Sequence, residues 1–314
     1  MGEDGAPPHY HGSRSEFAGT IGVVDDETRL AEFEDNRPRL FGLAYRMLGE
    51  AGEAEDVVQD AYLRWRSGPE PASPAAWLTK IVTNLCLTRL TSARARRERY
   101  VGPWLPEPVL TGGPDPQELA EQRDMLSVGF LVLLEKLTPP ERAAFVLRAA
   151  FEYSHREIAG VLRTSEAHAR QLYHRARARV GEPRRRFTAS PGEEAKLVER
   201  FLAAALEGDV AGLERLLTGD AAVWSDGGGK ATAARRPISG RAATARFLGG
   251  FASTSRAKDA KTTIAEVNGE PAILVWENGM LTGVLVPETH EGRIATIHAI
   301  FNPDKLAFLR TQLG

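Results

Sequence analysis

The chain has one cysteine, Cys86, in 314 residues, which excludes an internal disulfide and any cysteine-rich zinc site. Cys86 lies in an apolar helical stretch and reads as a small core residue. No apolar run approaches the roughly 18 to 20 residues that cross a bilayer, so no membrane contact is expected. The N-terminus lacks a basic region followed by an apolar stretch and is not a signal peptide, so a cytoplasmic location is expected. Walker, dinucleotide-binding and metal-ligand spacings are missing too. No cofactor, no metal and no catalytic residue is therefore assigned. Net charge is nearly absent, at −2, but that total averages unlike pieces. Residues 163–186 hold eight arginines against two glutamates, a balance of +6, while residues 1–30 hold two arginines against six acids, a balance of −4. A basic patch inside a neutral chain points to a localised nucleic-acid contact.

What is present divides into five stretches. Residues 1–28, rich in Gly, Pro, Ser and acids without apolar periodicity, are expected to be a disordered extension. Residues 29–99 read as helices with one break at 67–74. Residues 100–116 contain five prolines and three glycines, a linker composition. Residues 117–187 are again helical. A break at 189–192 leads into 193–314, where helices to about residue 218 give way to alternating, β-rich stretches such as 272–276 and 281–286. Asn278-Gly279 between those two is a strong hairpin signal. The fold class is multidomain: two all-α modules, then an α+β domain.

In the first module, Ala54, Val57, Val58, Ala61, Tyr62 and Trp65 recur at helical spacing and form a buried stripe. Asp56, Gln59, Asp60 and Leu63 share another face, which fits either a solvated surface or a docking face for a basic partner. The next helix starts near Pro74, which suits a first turn. It buries Trp77, Leu78, Ile81, Val82 and Leu85, and it carries Lys80 and Asn84 one turn apart. It then runs into Arg89, Arg94, Arg96, Arg97 and Arg99. Five arginines in eleven residues exceed what a helix dipole requires, and a nucleic-acid backbone is the natural counter-charge.

In the second module, Ser154-His155-Arg156-Glu157 has capping-box spacing and opens a short helix. Arg163-Thr164 makes a turn and Ser165 can cap the next helix. That helix turns Ala169, Leu172, Tyr173, Ala176 and Val180 inward and His168, Arg170, Gln171, Arg175, Arg177 and Arg179 outward. Two short helices joined by a tight turn, the second cationic, read as a helix-turn-helix or as a helical hairpin with a solvated basic face.

The run Glu55-Asp56-Val57-Val58-Gln59-Asp60-Ala61-Tyr62-Leu63-Arg64, followed by Trp77-Leu78-Thr79-Lys80-Ile81-Val82-Thr83-Asn84-Leu85, resembles region 2 of the extracytoplasmic-function (ECF) sigma factors of the sigma-70 family. Residues 137–180 resemble their region 4. The resemblance implies an RNA polymerase sigma factor whose partners are the β and β′ subunits of core polymerase and promoter DNA. It implies core docking by Asp56, Gln59, Asp60 and Leu63. It places the minus-ten element on Lys80, Asn84, Arg89, Arg94, Arg96, Arg97 and the loop 67–74, where an unpaired base exposes its Watson–Crick edge. His168, Arg170 and Gln171 fall where minus-thirty-five base edges are read, and Arg175, Arg177 and Arg179 where phosphates are held. Two departures stand out: Thr88 where the family often has an acid, and Leu172 where many members have Arg.

Ordinary members end near residue 187. Here the remaining 120 or so residues resemble a SnoaL-like (NTF2-like) cone, which matches the SigJ-type subgroup on Trp104-Leu105-Pro106-Glu107-Pro108, Asp226-Gly227-Gly228-Gly229-Lys230 and Asn302-Pro303-Asp304-Lys305-Leu306. The subgroup implies that this extension stands in for an anti-sigma protein and touches the linker. Trp104, Pro106, Asp226, Gly228, Lys230, Asn302, Asp304 and Lys305 are the expected regulatory contacts. Three roles stay open for the cone: catalysis, binding of a small ligand, or protein contact. Asp226, Trp224, Trp276 and His298 are the candidates to line its cavity.

Overall fold

The computed structural model describes residues 26–69, 71–97, 99–111, 126–181, 191–252 and 260–314. Most of the expected N-terminal extension, 1–25, and the linker's end, 112–116, lie outside the described residues.

Three helices build the first module: α1 (Asp26–Leu48), α2 (Ala51–Ser67) and α3 (Pro74–Arg97). The α2 stripe is buried as its spacing predicts, with Ala54, Val57, Val58, Ala61 and Trp65 inside and the Tyr62 ring 4.9 Å from Phe33. On α3, Leu78, Val82, Cys86 and Leu90 are buried. Burial pushes the Cys86 thiol pKa well above its usual range, so this cysteine is a core residue.

The second module comprises α4 (Val128–Leu134), α5 (Pro139–Ala149), α6 (His155–Leu162) and α7 (Glu166–Val180). Ser154 and Glu157 form the expected capping box, Arg163 takes the left-handed turn at φ 53°, and the Ser165 hydroxyl accepts from His168 N at 3.2 Å. The two modules do not stand apart. Leu43, Met47 and Val82 of the first share one continuous apolar core with Phe130, Phe145 and Leu147 of the second.

The third domain starts with α8 (Pro191–Glu207) and α9 (Val210–Leu216). A six-stranded sheet follows: β1 (Leu217–Asp226), β2 (Ile238–Ser239), β3 (Lys261–Val267), β4 (Glu270–Glu277), β5 (Met280–His290) and β6 (Arg293–Ile300). Helix α10 (Arg241–Ala252) lies between β2 and β3, and α11 (Ala307–Leu313) ends the chain. Strand order is β2-β1-β6-β5-β4-β3, antiparallel except for the β1–β6 pair. Three two-residue hairpins connect β3 to β6. Asn268-Gly269, Asn278-Gly279 and Glu291-Gly292 each hold two positive φ angles, as a type I′ turn requires.

Alternation splits the sheet between two cores. Val223, Ile273, Val275 and Ile297 face α8–α10. Ala272, Leu274, Val284 and Ile300 face the other way, against α11, Leu105 of the linker and Val128 of the second module. Among the described residues, no helix is long and apolar enough to cross a membrane, and no group of three His, Cys, Asp or Glu could hold a metal ion.

Candidate polymerase and nucleic-acid interfaces

On α2, Asp56 and Gln59 are exposed and Asp60 half-buried, and beside them Leu63 is 55% exposed although it is large and apolar. Arg89 of α3 turns onto this face rather than outward. Its guanidinium lies 2.6 Å from Glu53, 3.0 Å from Asp60 and 3.6 Å from Asp56. The residue expected on the promoter track thus partly neutralises the acidic face in this conformation.

Lys80 and Asn84 are half-buried on α3, and the Asn84 amide donates to Lys80 O at 2.7 Å. The side chains of Arg94 and Arg96 lie outside the described residues. Arg97 departs furthest from the expected track. It pairs with Glu50 at 3.1 Å and with Glu135, donates to Leu48 O, and stacks 3.8 Å over the Trp104 ring. One guanidinium therefore ties the first module to the second and to the linker. Arg142, buried, adds a second tie: it pairs with Glu135 at 2.6 Å and donates to Met47 O at 2.8 Å.

On α7, the inward and outward sets fall as the spacing predicts, with Leu172 buried and His168, Arg170 and Gln171 exposed. Arg175 bonds Glu141 of α5 at 3.0 Å and Arg179 pairs with the same carboxylate. Burial acts to raise the Glu141 pKa, but hydrogen bonds from Thr138, Arg175 and Arg179 outweigh it and hold the carboxyl below the usual range. Two of the three expected phosphate ligands are thus anchored to α5, and all three are exposed.

The linker is extended and pinned. Trp104 lies against Gly49, whose φ is +68° and where a Cβ would come within 2.8 Å of the indole; only glycine fits that turn. Pro106 is buried beside it. Glu107 Oε2 accepts from the N–H groups of Ala51 at 2.7 Å and Gly52 at 3.1 Å. It caps α2 from 55 residues away, because the local N-cap, Glu50, makes no side-chain cap bond. Burial raises the Glu107 pKa against those two hydrogen bonds.

Asp226 closes the other side of the linker. It is fully buried, accepts from Tyr100 OH at 2.5 Å and Leu105 N at 2.8 Å, and pairs with Lys305 at 2.7 Å. Lys305 also donates to Leu105 O and lies 4.1 Å over the Trp104 ring. Asn302 donates to Tyr100 OH at 2.7 Å. Gly228, at φ +58°, leaves no room for a Cβ, which would strike the Asn302 amide. Of the expected regulatory contacts, Lys230 and Asp304 behave differently. They pair with each other at 2.5 Å on the surface, both more than half exposed, where such a pair contributes little.

Burial lowers the Lys305 ammonium pKa to about 8 even though Asp226 favours its charge. Between pH 8 and about 10.5 the unfolded chain therefore binds the more protons, and stability rises with pH over that window. Urea midpoints measured from pH 8 to 9.5 should climb for the wild type relative to Lys305→Met; parallel curves would contradict this.

The cavity candidates need correction. The cone's cavity is lined by Val223, Ser225, Ile273, Val275 and Ala299 among others, and not by Trp224, Asp226, Trp276 or His298. Adjacent strand residues point to opposite faces, and these four belong to the faces away from the cavity.

The comparisons with known proteins agree with this arrangement. Residues 33–96 match the family model for Sigma-70 region 2, and residues 128–180 match that for Sigma-70 region 4. The chain is 38% identical over 289 residues to the ECF RNA polymerase sigma factor SigJ of Mycobacterium tuberculosis, covering 88% of this chain and 92% of the relative. It belongs to the ECF RNA polymerase sigma factors. A probable ECF sigma factor SigI of the same species is 31% identical over 90% of this chain and 97% of its own length. The crystal structure of the M. tuberculosis SigJ superimposes with a TM-score of 0.71 and 34% identity, covering 89% of this chain and 98% of that one.

Sequence reasoning missed one junction in this sigma factor. Asn268, fully buried at a hairpin tip, donates from Nδ2 to Tyr45 OH at 2.7 Å and Leu126 O at 2.8 Å, and accepts at Oδ1 from Val109 N at 3.1 Å. One amide joins region 2, the start of the region 4 module and the linker. Leu110 also bridges Val267, so the linker covers the β3 edge. Asn268-Gly269 was a legible turn signal, but nothing in the sequence said what the turn would touch.

Proposed function

We propose that this sigma factor docks on core polymerase through Asp56, Gln59, Asp60 and Leu63 and meets the minus-ten element through α3. In the same reading α7 enters the minus-thirty-five element, and the C-terminal domain holds the whole closed. The shared core of regions 2 and 4 carries this reading. A compact body of about 150 residues is on the order of 40 Å across. Promoter elements centred roughly 25 base pairs apart lie about 85 Å apart, at ~3.4 Å per pair. The closed form cannot reach both elements at once.

Opening frees Arg97 from Glu135 and from the Trp104 ring, and its guanidinium becomes available to DNA. Regulation then consists of setting the closed–open balance, with the linker clamp at Asp226, Lys305 and Asn268 favouring the closed side. The buried Asn268 junction and the grip of Asp226 and Lys305 on the linker support this role for the extension.

Two sets of substitutions test the surfaces separately. Asp56→Ala with Gln59→Ala should weaken core polymerase binding at least tenfold in a pull-down titration, with the thermal midpoint unchanged. Lys80→Ala with Asn84→Ala should cut permanganate reactivity of the minus-ten region at least fivefold while core binding stays intact. Full core affinity in the first variant, or full promoter opening in the second, would sink the corresponding assignment.

A further inference from the structure

The cone encloses a cavity of about 730 Å³, within the range that holds drug-sized molecules. Its walls are apolar, set by Phe201, Val223, Ile273, Val275, Ala299 and Phe301. Two independent features point to a ligand. Ser225 lines the cavity, is 2% exposed, and its covered hydroxyl has no hydrogen-bond partner among the described residues. A buried hydroxyl without a partner is disfavoured. At the mouth, Leu206, Phe247 and Met280 are 47%, 42% and 55% exposed, and all three line the same cavity. Large apolar side chains gathered at one opening mark a binding groove.

The charges sit elsewhere. Lys230 and Arg246 are at the exposed rim, with Lys230 paired to Asp304, and Arg310 is held on the Leu281 carbonyl at 2.7 Å. Glu277 also lines the cavity and is half-buried, as is Arg310; no lining charge is fully buried, so an ion in the apolar interior would be poorly compensated.

We propose that this cavity is a receptor site for a neutral, largely apolar small molecule. Its one carbonyl or hydroxyl oxygen meets Ser225, and its binding favours the closed sigma factor. The coupling follows from backbone continuity. Ser225 lines the cavity, and its neighbour Asp226 grips Tyr100 and Leu105 on the opposite face. Phe301 and Pro303 line the cavity, and Asn302 between them grips Tyr100. The two segments are joined, since Asp226 O accepts from Phe301 N at 2.7 Å and Asn302 N at 3.0 Å. Clamp and cavity wall are thus the two sides of the same two segments. A ligand that fits the clamped wall stabilises the clamp, and the clamp must tighten the ligand by the same factor.

Prodan, a neutral fluorescent naphthyl ketone, is a suitable probe for the full-length protein. Titration should give saturable, blue-shifted emission at one site. Ser225→Ala should weaken binding about 3- to 10-fold without lowering the thermal midpoint, since a partnerless buried hydroxyl is what is lost. Ala205→Trp, which fills the cavity, should weaken binding more than 20-fold. With Prodan bound, hydrogen exchange of linker amides 105–111 should slow at least threefold. Absence of saturable binding, or equal affinity in Ser225→Ala, overturns the site; unchanged linker exchange overturns the coupling. The inference rests on the closed arrangement proposed above, but the titration involves neither polymerase nor DNA. Its failure therefore leaves the promoter and polymerase surfaces standing.

Discussion

Replacing Asp226 by alanine is expected to shift the sigma factor from closed to open by two to three orders of magnitude. The side chain is fully buried and answers four donors, Tyr100 OH, Leu105 N, Gly228 N and Lys305 Nζ. Removing one partner of a buried ion pair costs about 3–5 kcal/mol, because the ammonium left behind must stay buried without a partner or give up its proton; every 1.4 kcal/mol is a factor of ten. That cost falls on the closed form alone. Lys305 is covered there by Tyr100, Trp104 and Leu105 of the linker, and it returns to water once the linker leaves. Amides of residues 105–111 should therefore exchange faster, and run-off transcription at limiting core polymerase should rise at least tenfold over wild type. Unchanged linker exchange would show that Asp226 does not hold the clamp; faster exchange with no gain in transcription would show that the clamp does not restrain the factor.

Asn268→Ala should have the second-largest effect, a loss of about 3–5 kcal/mol in urea unfolding. Alanine leaves Val109 N and Leu126 O without their partners in a buried junction, at about 1 kcal/mol or more each. Tyr45 OH keeps one bond, to Glu107 O at 2.5 Å. The backbone adds to the loss, since φ at Asn268 is +55° and a left-handed alanine costs about 1–2 kcal/mol. Asn268→Gly separates the two causes: it keeps the turn and should recover only the backbone share. A loss below 0.5 kcal/mol in Asn268→Ala would mean that the three bonds do not carry the junction.

How much of this was legible in the sequence depended on distance along the chain. The α2 and α7 stripes, the Ser154 and Ser165 caps and the Asn278-Gly279 hairpin are set by residues within one or two turns of each other. Their periodicity states them directly. The Asp226, Asn302 and Lys305 contacts followed from a family resemblance and not from spacing. Glu107 capping α2, Arg97 reaching Glu135, and Asn268 reaching Tyr45 join residues 38 to 223 positions apart. A charged or amide side chain gives no local sign of which distant group will meet it. The cavity was misread for a related reason. Alternation shows that a strand has two faces, but here both faces of the sheet are covered, one by helices and one by the sigma modules. Hydrophobicity alone could not say which face enclosed the hollow.

The carboxylate of Glu107 gives the linker a part in the architecture of region 2 itself. Residues 100–111 complete a helix start, shield a sheet edge and seat a lysine, so they belong to region 2 and to the C-terminal domain at once. Transplanting the cone onto another sigma factor by fusion at residue 193 would therefore carry over the domain without its grip. A chimera that keeps these contacts would need this dozen residues, together with the Gly49 notch that receives Trp104, moved as one cassette.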